Sequence, residues 1–421
     1  MKIGIISINA HTKVLNFASP LHTYAFQQFL LKNGIESTII DYKPVYYGKF
    51  DVRHPLFYYI DHPDSDAEKQ KLLLERWRTF FYEREYRFDR IEEFINKYYI
   101  KTEKCYTAKM MEKEDPGFDC YLCVTDVIWK YNPVNGFDRG FLLACEQMKG
   151  KKKIAYAASR GAKGYTRDQG AQFFDYIRDF DHISVREASL KEYIDSNTDL
   201  DIPHVLDPVF LMDADFYYDL AIPPKERGYV LVYIVMEKAD KLVEKAVAFA
   251  QAHNLDVIEL SERQEHANMP EGTSHPVIYG LGVEEWLGYM QHAEYIFTNS
   301  FHACCFSIIF HKQFFAGARS GDKIDSVLEM FDLSWRRIKG EEVNALDLED
   351  IEFEKTEEIL QSHIKFSSDY ILNAIHDAEN KPHTPLLDAS IIDQYWKRNP
   401  AENPAKVFLS KCKRKLLSFF K

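Results

Sequence analysis

Apolar runs of strand length alternate with helix-length segments along most of this chain. In the first half, the runs predicted as strands cover residues 2–8, 35–42, 118–125, 153–158, 182–186 and 204–211. A strand that is apolar along its whole length is typical of a parallel sheet with helices on both faces. Alternation of such strands with helical patterns indicates βαβ units. The chain is therefore predicted to be an α/β protein built on doubly wound parallel sheets.

The alternation comes in two series, separated by residues 221–228 with their paired prolines and glycine. The second series has strand patterns at residues 229–235, 256–260, 295–299 and 313–316. A length of 421 residues suits two domains. We predict that ligands bind in the cleft between them. The predicted segments are an N-terminal domain, a C-terminal domain and a helical tail, at residues 1–222, 223–385 and 386–421.

The composition excludes several classes of protein. A formal net charge of -12 argues against a general nucleic-acid binder, which needs basic surface to neutralise phosphates. No apolar run reaches the roughly 18 residues that would span a membrane, and residues 2–8 are too short for a signal peptide. The seven cysteines are unevenly spaced and form no zinc pattern. We expect reduced, mostly buried thiols in a cytoplasmic protein.

The C-terminal residues 405–421 form a basic and amphipathic segment. Lysines alternate there with Phe, Leu and Val, a composition typical of a helix that lies on an anionic membrane surface. A terminal helix docked on the first domain, with its lysines facing outward, accounts for the same pattern. Both interpretations stay open.

Residues 298–302 (TNSFH) close a predicted strand and open a buried helix. The N-terminus of a helix presents free backbone N–H groups and is a ready site for an anion. His302 lies in the first turn, where it could give a proton to a bound anion. In the alternative, Asn299 or Ser300 merely caps the helix and His302 packs beneath it.

Other polar or charged residues also come directly after predicted strands, where ligands bind in such sheets. They include three cations, which suit a small anion with several charges. No glycine-rich phosphate loop is present, and Asp213 and Asp215 are interpreted as the opening of a helix rather than a metal site. The residues that follow strands are Asp126, Trp129, Arg186, Ser300, Arg319 and Lys323.

Six segments resemble motifs of the polysaccharide pyruvyl transferase family and occur in the same order, between Met1 and about Arg336. Residues 16–27 (NFASPLHTYAFQ) resemble the family's opening N-Y-G-A-x-L-Q-x-Y-A-L-Q, and residues 121–129 (YLCVTDVIW) resemble a strand followed by G-S-D-x-x-W. The other four are 154–161 (IAYAASRG, resembling Y-A-x-S-x-G), 183–187 (ISVRE, S-x-R-E), 206–208 (LDP, L-D-P) and 298–302 (TNSFH, T-D-S-F-H-G).

The chain also departs from these motifs. Ala18 and His22 stand where the opening motif has Gly and Gln. Val124 and Thr125 replace the G-S before Asp126, while Asn299 and Ala303 flank Ser-Phe-His where the family has Asp and Gly. Small residues let a ligand approach the backbone closely. These changes are therefore expected to alter how the acceptor binds.

The resemblance implies a fold and a reaction. The fold would be two facing Rossmann-like domains in a GT-B-like arrangement, with the acceptor on the N-terminal side and the donor on the C-terminal side. The family transfers pyruvate from phosphoenolpyruvate to two hydroxyls of a sugar, forming a cyclic ketal and releasing phosphate. The acceptor would be a capsule or exopolysaccharide unit on a lipid carrier, to which residues 405–421 could bring the enzyme at a membrane. No metal or cofactor is required.

The resemblance also implies site residues. His302 would be the general acid and Asp126 the base. The donor, phosphoenolpyruvate, would be bound by Arg186, Ser300, Arg319 and Lys323. The acceptor would contact Asn16, His22 and Trp129.

Two other functions stay open. One is a GT-B glycosyltransferase that uses a nucleotide sugar, which would bind a nucleotide in the second domain. The other is a non-catalytic sugar-binding protein of a polysaccharide locus, which would release no phosphate from phosphoenolpyruvate.

Overall fold

The computed structural model describes residues 1–8, 15–44, 53, 67–161, 164–236, 239–261, 275–338 and 345–400. Two parallel sheets lie within these residues. The first has the order β2-β1-β3-β4-β5. Its strands are β1 (Ile3–Ser7), β2 (Ser37–Ile39), β3 (Cys120–Val124), β4 (Lys152–Ala158) and β5 (His182–Val185). The second has the order β11-β10-β9-β6-β7-β8. Its strands are β6 (Tyr229–Ile234), β7 (Asp256–Ser261), β8 (Val277–Ile278), β9 (Tyr295–Thr298), β10 (Gln313–Gly317) and β11 (Arg337–Ile338).

The sheets confirm the predicted fold class of two doubly wound, Rossmann-like domains. All strand pairs within them are parallel. The helices are α1 (Ala18–Lys32), α2 (Ala67–Tyr98), α3 (Ala108–Met111), α4 (Arg167–Ile177), α5 (Ala188–Asn197), α6 (Ala214–Tyr218), α7 (Asp240–Ala252), α8 (Val283–His292), α9 (Phe301–Ile309), α10 (Lys323–Met330), α11 (Phe353–Asn380) and α12 (Ile391–Arg398). The connection from α6 to β6 contains the predicted linker.

The segment at residues 204–211, predicted as a strand that contains Asp207, has a different structure. His204 makes a single bridge to Val185, and a 3-10 helix follows at Pro208–Leu211. Pro208 has no N–H to give to a sheet, whereas proline is well suited to the first turn of a helix. Asp207 caps that turn by accepting a hydrogen bond from Val209 N at 3.2 Å. The carboxylate is thereby fixed just beyond the edge of the first sheet.

The two domains share an apolar core. Phe17, directly before α1, stacks on Trp286 of α8 with ring centroids 6.1 Å apart. It also lies 6.3 Å from the ring of Tyr233 on β6. Helix α9 runs through this junction with all nine of its residues buried. Burial of this kind stabilises the relative position of the domains by the hydrophobic effect.

Helix α2 reaches from the first domain to the second. Arg87 is fully buried and donates to Ser261 O, at the end of β7, at 2.8 Å. Arg84 donates to the Tyr279 hydroxyl at 2.6 Å, and Arg90 pairs with Glu284 at 3.0 Å. The helix therefore covers the carboxyl ends of β7 and β8.

Helices α11 and α12 return to the first domain, although residues up to 385 are predicted to belong to the second. Ser367 on α11 accepts a hydrogen bond from Leu206 N at 3.0 Å, and α12 packs on α4 and α5. An amphipathic pattern identifies the apolar face of a helix but not its partner, so the sequence did not indicate this crossing.

Three other predictions concern the whole chain. The described residues contain no helix long and apolar enough to cross a membrane. The six described cysteines are free, with Cys105 exposed and the others buried. The segment 405–421, and with it the predicted membrane contact, lies outside the described residues.

Candidate active site

The candidate site lies where the strand order of each sheet reverses. In the first sheet the reversal falls between β1 and β3, and in the second between β6 and β9. A crevice opens at the carboxyl ends of the strands at such a point, and ligands of doubly wound sheets bind there. Asp126 follows β3, and Asn299 follows β9. The Asn299 side chain accepts a hydrogen bond from Val235 N, just after β6, at 2.7 Å.

Ser300 caps helix α9, so the capping part of the simpler interpretation is confirmed. Its hydroxyl accepts a hydrogen bond from Ala303 N at 3.4 Å, and its own N–H donates to Thr298 Oγ1 at 2.9 Å. The cap directs the first turn of α9 toward the first domain. His302 in that turn meets residues of the first domain.

His302 lies against the carboxylate of Asp207. Its Nε2 is 3.6 Å from Asp207 Oδ2, slightly beyond hydrogen-bond distance. Nε2 is itself buried, so the 11% of the His302 side chain that is exposed lies on its other atoms. One ring edge thus faces a carboxylate, and another part of the ring stays accessible.

Arg186 holds the carboxylates of the site together. Its guanidinium lies 2.6 Å from Asp207, 3.1 Å from Asp126 and 3.9 Å from Glu187. It also lies over the ring of Phe301, 4.5 Å from the centroid. Burial alone would lower the pKa of Arg186, but Asp207, Asp126 and Glu187 raise it above its usual value. The predicted donor clamp is therefore a buried, multiply paired cation.

The same charges act on the carboxylates. Burial would raise the pKa of Asp126, but Lys323, Arg186 and His302 hold it well below its usual range. For Asp207, burial is likewise outweighed by His302 and Arg186, and its pKa is far below normal. Both side chains are therefore carboxylates at neutral pH.

Lys323 brings the second domain to Asp126. Its Nζ lies 3.4 Å from Asp126 Oδ1, and both side chains keep about a fifth of their surface exposed, at 20% and 21%. Asp126 has a left-handed backbone with φ of 58°, as does Thr125 with φ of 41°. Non-glycine residues adopt this conformation at an energetic cost, and such positions cluster at functional sites.

His22 is the second imidazole of the site, and it is fully buried. Its Nε2 lies 2.9 Å from Ile8 O, so this nitrogen carries the proton. Its ring lies 5.6 Å from the ring of His302. Burial lowers the pKa of His22 from 6.5 to about 4, partly offset by Asp207. His22 is therefore neutral near pH 7.

This shift predicts a pH dependence of stability. Between pH 6.5 and about 4 the unfolded chain binds a proton at residue 22 that the folded chain does not. The free energy of unfolding should therefore decrease as the pH is lowered through this window, by about 1.4 kcal/mol per pH unit and about 3 kcal/mol in all. His22→Gln should lack this part of the slope in urea unfolding measured from pH 7 to 4. The exposed His376 gives the control His376→Gln, and an identical slope in His22→Gln would contradict the prediction.

The other predicted site residues lie in three different settings. Trp129 is fully buried and packs on Phe173 at 5.4 Å, so it is a core residue that a sugar cannot reach. Asn16 accepts a hydrogen bond from Ala18 N at 2.8 Å and so caps α1. Arg319 lies near the cluster, with Nη1 3.5 Å from Asn299 O.

Three residues, Thr125, Glu187 and Asp207, complete the cluster without having been predicted as site residues. Asp207 is 2% exposed and touches Arg186, His302 and Thr125. Glu187 is fully buried and accepts a hydrogen bond from Ser159 at 2.5 Å. The sequence carried a signal for each, since all three lie within the segments TD, RE and LDP that resemble family motifs.

The second domain also caps a helix of the first domain. Glu187 makes no side-chain cap for α5. Ala188 N donates to Ser326 Oγ and Ser189 N to Asp322 Oδ2, each at 3.3 Å. Helices α5 and α10 therefore meet end to end beside Arg186 and Lys323.

Two parallel α/β domains with a buried acid–base cluster at their junction form the architecture of an enzyme with an interdomain site. The chain belongs to the polysaccharide pyruvyl transferase family, whose family model matches residues 21–320. It is therefore a transferase of polysaccharide biosynthesis. A search of curated proteins gives no significant match.

Solved structures with similar folds are distant in sequence. UDP-N-acetylglucosamine 2-epimerase from Rickettsia bellii is 11% identical with a TM-score of 0.45, over 95% of this chain and 99% of that one. The corresponding epimerase from Methanocaldococcus jannaschii is 12% identical with a TM-score of 0.45, over 94% and 99%. T4 phage BGT in complex with UDP and Mn2+ is 10% identical with a TM-score of 0.36, over 95% and 100%.

Proposed function

We propose that this chain transfers pyruvate from phosphoenolpyruvate to two hydroxyls of a sugar in a lipid-linked polysaccharide unit, forming a cyclic ketal. The observation that carries the proposal is the position of His302, with Nε2 3.6 Å from Asp207 and part of its ring exposed. The carboxylate beside one edge of the imidazole fixes the orientation of the ring. The accessible edge can then deliver a proton to the substrate.

The reaction needs one proton donor and one acceptor. His302 gives its proton to the methylene carbon of phosphoenolpyruvate, which leaves a cationic centre at the neighbouring carbon. The first sugar hydroxyl adds there and loses its proton to a base. Phosphate then leaves with the electrons of its C–O bond and takes the proton held by the base, and the second hydroxyl closes the ketal. The proton of the second hydroxyl returns to His302.

Asp126 is the proposed base because it follows β3 at the cleft and stays partly exposed. A base works best when its pKa is near the operating pH, whereas Lys323 and Arg186 hold the pKa of Asp126 low. A donor phosphate that draws Lys323 toward itself would weaken this effect. Donor binding would thereby prepare Asp126 to accept the proton of the hydroxyl.

Lys323 and Arg319 are the proposed contacts of the donor phosphate and carboxylate. Lys323 is one-fifth exposed and starts α10, and Arg319 is partly buried beside Asn299. Arg186 is already paired with three carboxylates, so we assign it the role of fixing Asp126 and Asp207. The proposed reaction uses no metal and no cofactor.

The position of α2 favours a small donor over a nucleotide sugar. Its residues Arg84 and Arg87 fill the crevice at the carboxyl ends of β7 and β8, where Arg87 lies 4.6 Å from the centroid of the Tyr279 ring. Ligands of doubly wound sheets use this crevice. We therefore expect the donor at the carboxyl ends of β6, β9 and β10, which favours a ligand as small as phosphoenolpyruvate over a nucleotide sugar.

Phosphoenolpyruvate should therefore protect the protein against thermal unfolding, whereas UDP and GDP should not. A ligand at 100 times its dissociation constant adds about 2.7 kcal/mol to the free energy of unfolding. Differential scanning fluorimetry measures this as a rise in Tm. Lys323→Ala should lose most of the protection. The control Lys355→Ala should keep it, because this lysine lies in the first turn of α11 with 80% of its side chain exposed. Protection by UDP alone would contradict the proposal and favour a glycosyltransferase.

The activity itself is tested by incubating the chain with phosphoenolpyruvate and a panel of sugar and lipid-linked oligosaccharide acceptors. Mass spectrometry reads out the gain of a pyruvyl ketal, and a phosphate assay follows the leaving group. Product with any acceptor supports the enzyme and excludes a purely sugar-binding role. We propose that this reaction takes place in the cytoplasm, at the inner face of the membrane that carries the acceptor.

A further inference from the structure

His22, Asp207 and His302 form a group of metal-ligating side chains. Each offers one ligand atom, and these atoms lie within 4.8 Å of one another. Among the described residues it is the one group of this kind, and all three side chains are buried. Two imidazoles and a carboxylate are a common ligand set for zinc and related dications.

Two ring nitrogens of this group have unused bonding capacity. His22 Nδ1 and His302 Nε2 are both buried and make no hydrogen bond. The proton of His22 is on Nε2, which lies 2.9 Å from Ile8 O, so Nδ1 carries a free lone pair. A buried polar atom without a partner is costly and calls for an explanation. A bound cation would satisfy both nitrogens.

The charge of the surroundings also suits a cation. Three carboxylates, Asp126, Asp207 and Glu187, face two cations, Arg186 and Lys323. With both imidazoles neutral, these five charged groups together have one negative charge in excess, and Arg319, which lies nearby, is outside this count. Arg186 repels a dication, but this excess and the two imidazole lone pairs offset the repulsion.

We propose that His22 Nδ1, His302 Nε2 and an oxygen of Asp207 bind a first-row transition-metal dication such as Zn2+. Thr125 donates to Asp207 Oδ2 at 3.0 Å, and its hydroxyl can rotate away to free a lone pair. Zinc bonds to nitrogen and oxygen of about 2.0–2.2 Å would draw the three ligand atoms together. His22 replaces the glutamine of the family motif, so this ligand set belongs to this chain.

Metal at this site inhibits the transferase. This consequence rests on the proposed function, in which His302 is the proton donor. A metal on Nε2 leaves His302 as a neutral imidazole, which is a much weaker acid than imidazolium. The same metal would also fix His302 against Asp207, away from the donor.

Equilibrium dialysis of the metal-free full chain against ZnCl2 tests the binding directly. We expect one bound equivalent that is lost in His22→Gln and in His302→Gln, each first shown to unfold cooperatively in urea. The control His376→Gln should retain it. Co2+ in place of Zn2+ should give a visible absorption band in the wild type that both variants lack. An equivalent that survives in both variants, or no binding by the wild type, overturns the site.

The inhibition is measured separately, by pyruvyl transfer with and without ZnCl2. Loss of transfer at the zinc concentration that fills the site supports the proposal, and unchanged transfer at full occupancy overturns its inhibitory part. If no acceptor is pyruvylated at all, the proposed function fails, but the dialysis result still decides whether the site binds metal.

Discussion

His302→Ala should lower the rate of pyruvyl transfer by about 10²- to 10⁴-fold, the usual contribution of a general acid. The carbon of phosphoenolpyruvate must be protonated before a hydroxyl can add, and no other imidazole among the described residues combines partial exposure with a carboxylate in this cluster. Single-turnover kinetics at saturating phosphoenolpyruvate would measure the loss in the chemical step. Phosphoenolpyruvate should still raise Tm in the variant, because the proposed phosphate contacts, Lys323 and Arg319, remain.

The matched control is His376→Ala, which removes an exposed imidazole on α11. It should leave both turnover and Tm unchanged. Near-wild-type turnover in His302→Ala would exclude His302 as the acid. Loss of cooperative unfolding in that variant would instead point to a packing role, so urea unfolding should accompany the kinetics.

Arg186→Leu should lower the free energy of unfolding by about 3–5 kcal/mol, since it leaves buried carboxylates without their partner. The side chain is 2% exposed and joins Asp126, Asp207 and Glu187. Urea unfolding at pH 7 measures the effect. The control Arg398→Ala breaks the pair with Asp199 at 2.7 Å, in which the aspartate is 86% exposed. That exposed pair should contribute only about 0–1 kcal/mol.

The effect of Arg186→Leu should also depend on pH in a defined direction. Asp126 and Asp207 have a pKa below the ordinary value of 3.8 in the folded protein. Their pairing with Arg186 therefore contributes stability that is fully present above pH 3.8 and is lost as the pH falls through the folded pKa. The difference between wild type and variant should shrink in acid. A difference that is small at pH 7 or grows in acid would contradict this account of the cluster.

The sequence predicted the long elements well because their patterns are strong and local. Continuous apolar runs marked β1, β3 and β6, and the helical period marked α1, α7 and α8. Strands β8 and β11 were not predicted, since two residues are too few to show a period. Polar residues at strand ends also led to the correct edge of each sheet, because the rule for doubly wound folds depends only on strand direction.

The contacts inside the site could not be predicted from the chain. Asp207 meets His302 only because the two domains pack face to face, and residues 95 positions apart in the sequence give no local signal. Arg186 was predicted to bind the donor because it is a cation at a strand end. Its three carboxylate partners could not be foreseen, since they come from separate segments of the chain. An aromatic residue after a strand fits a sugar contact or a core equally well, and Trp129 belongs to the core.

The shared cap between α5 and α10 ties domain motion to the order of the charged cluster. If the cleft opens, Ala188 N and Ser189 N lose Ser326 and Asp322, at a cost of about 0.5–2 kcal/mol for each capping bond. The turn that then frays directly follows Arg186 and Glu187. Closure of the domains and assembly of the charged cluster should therefore be coupled, because the same two bonds hold the turn that follows Arg186.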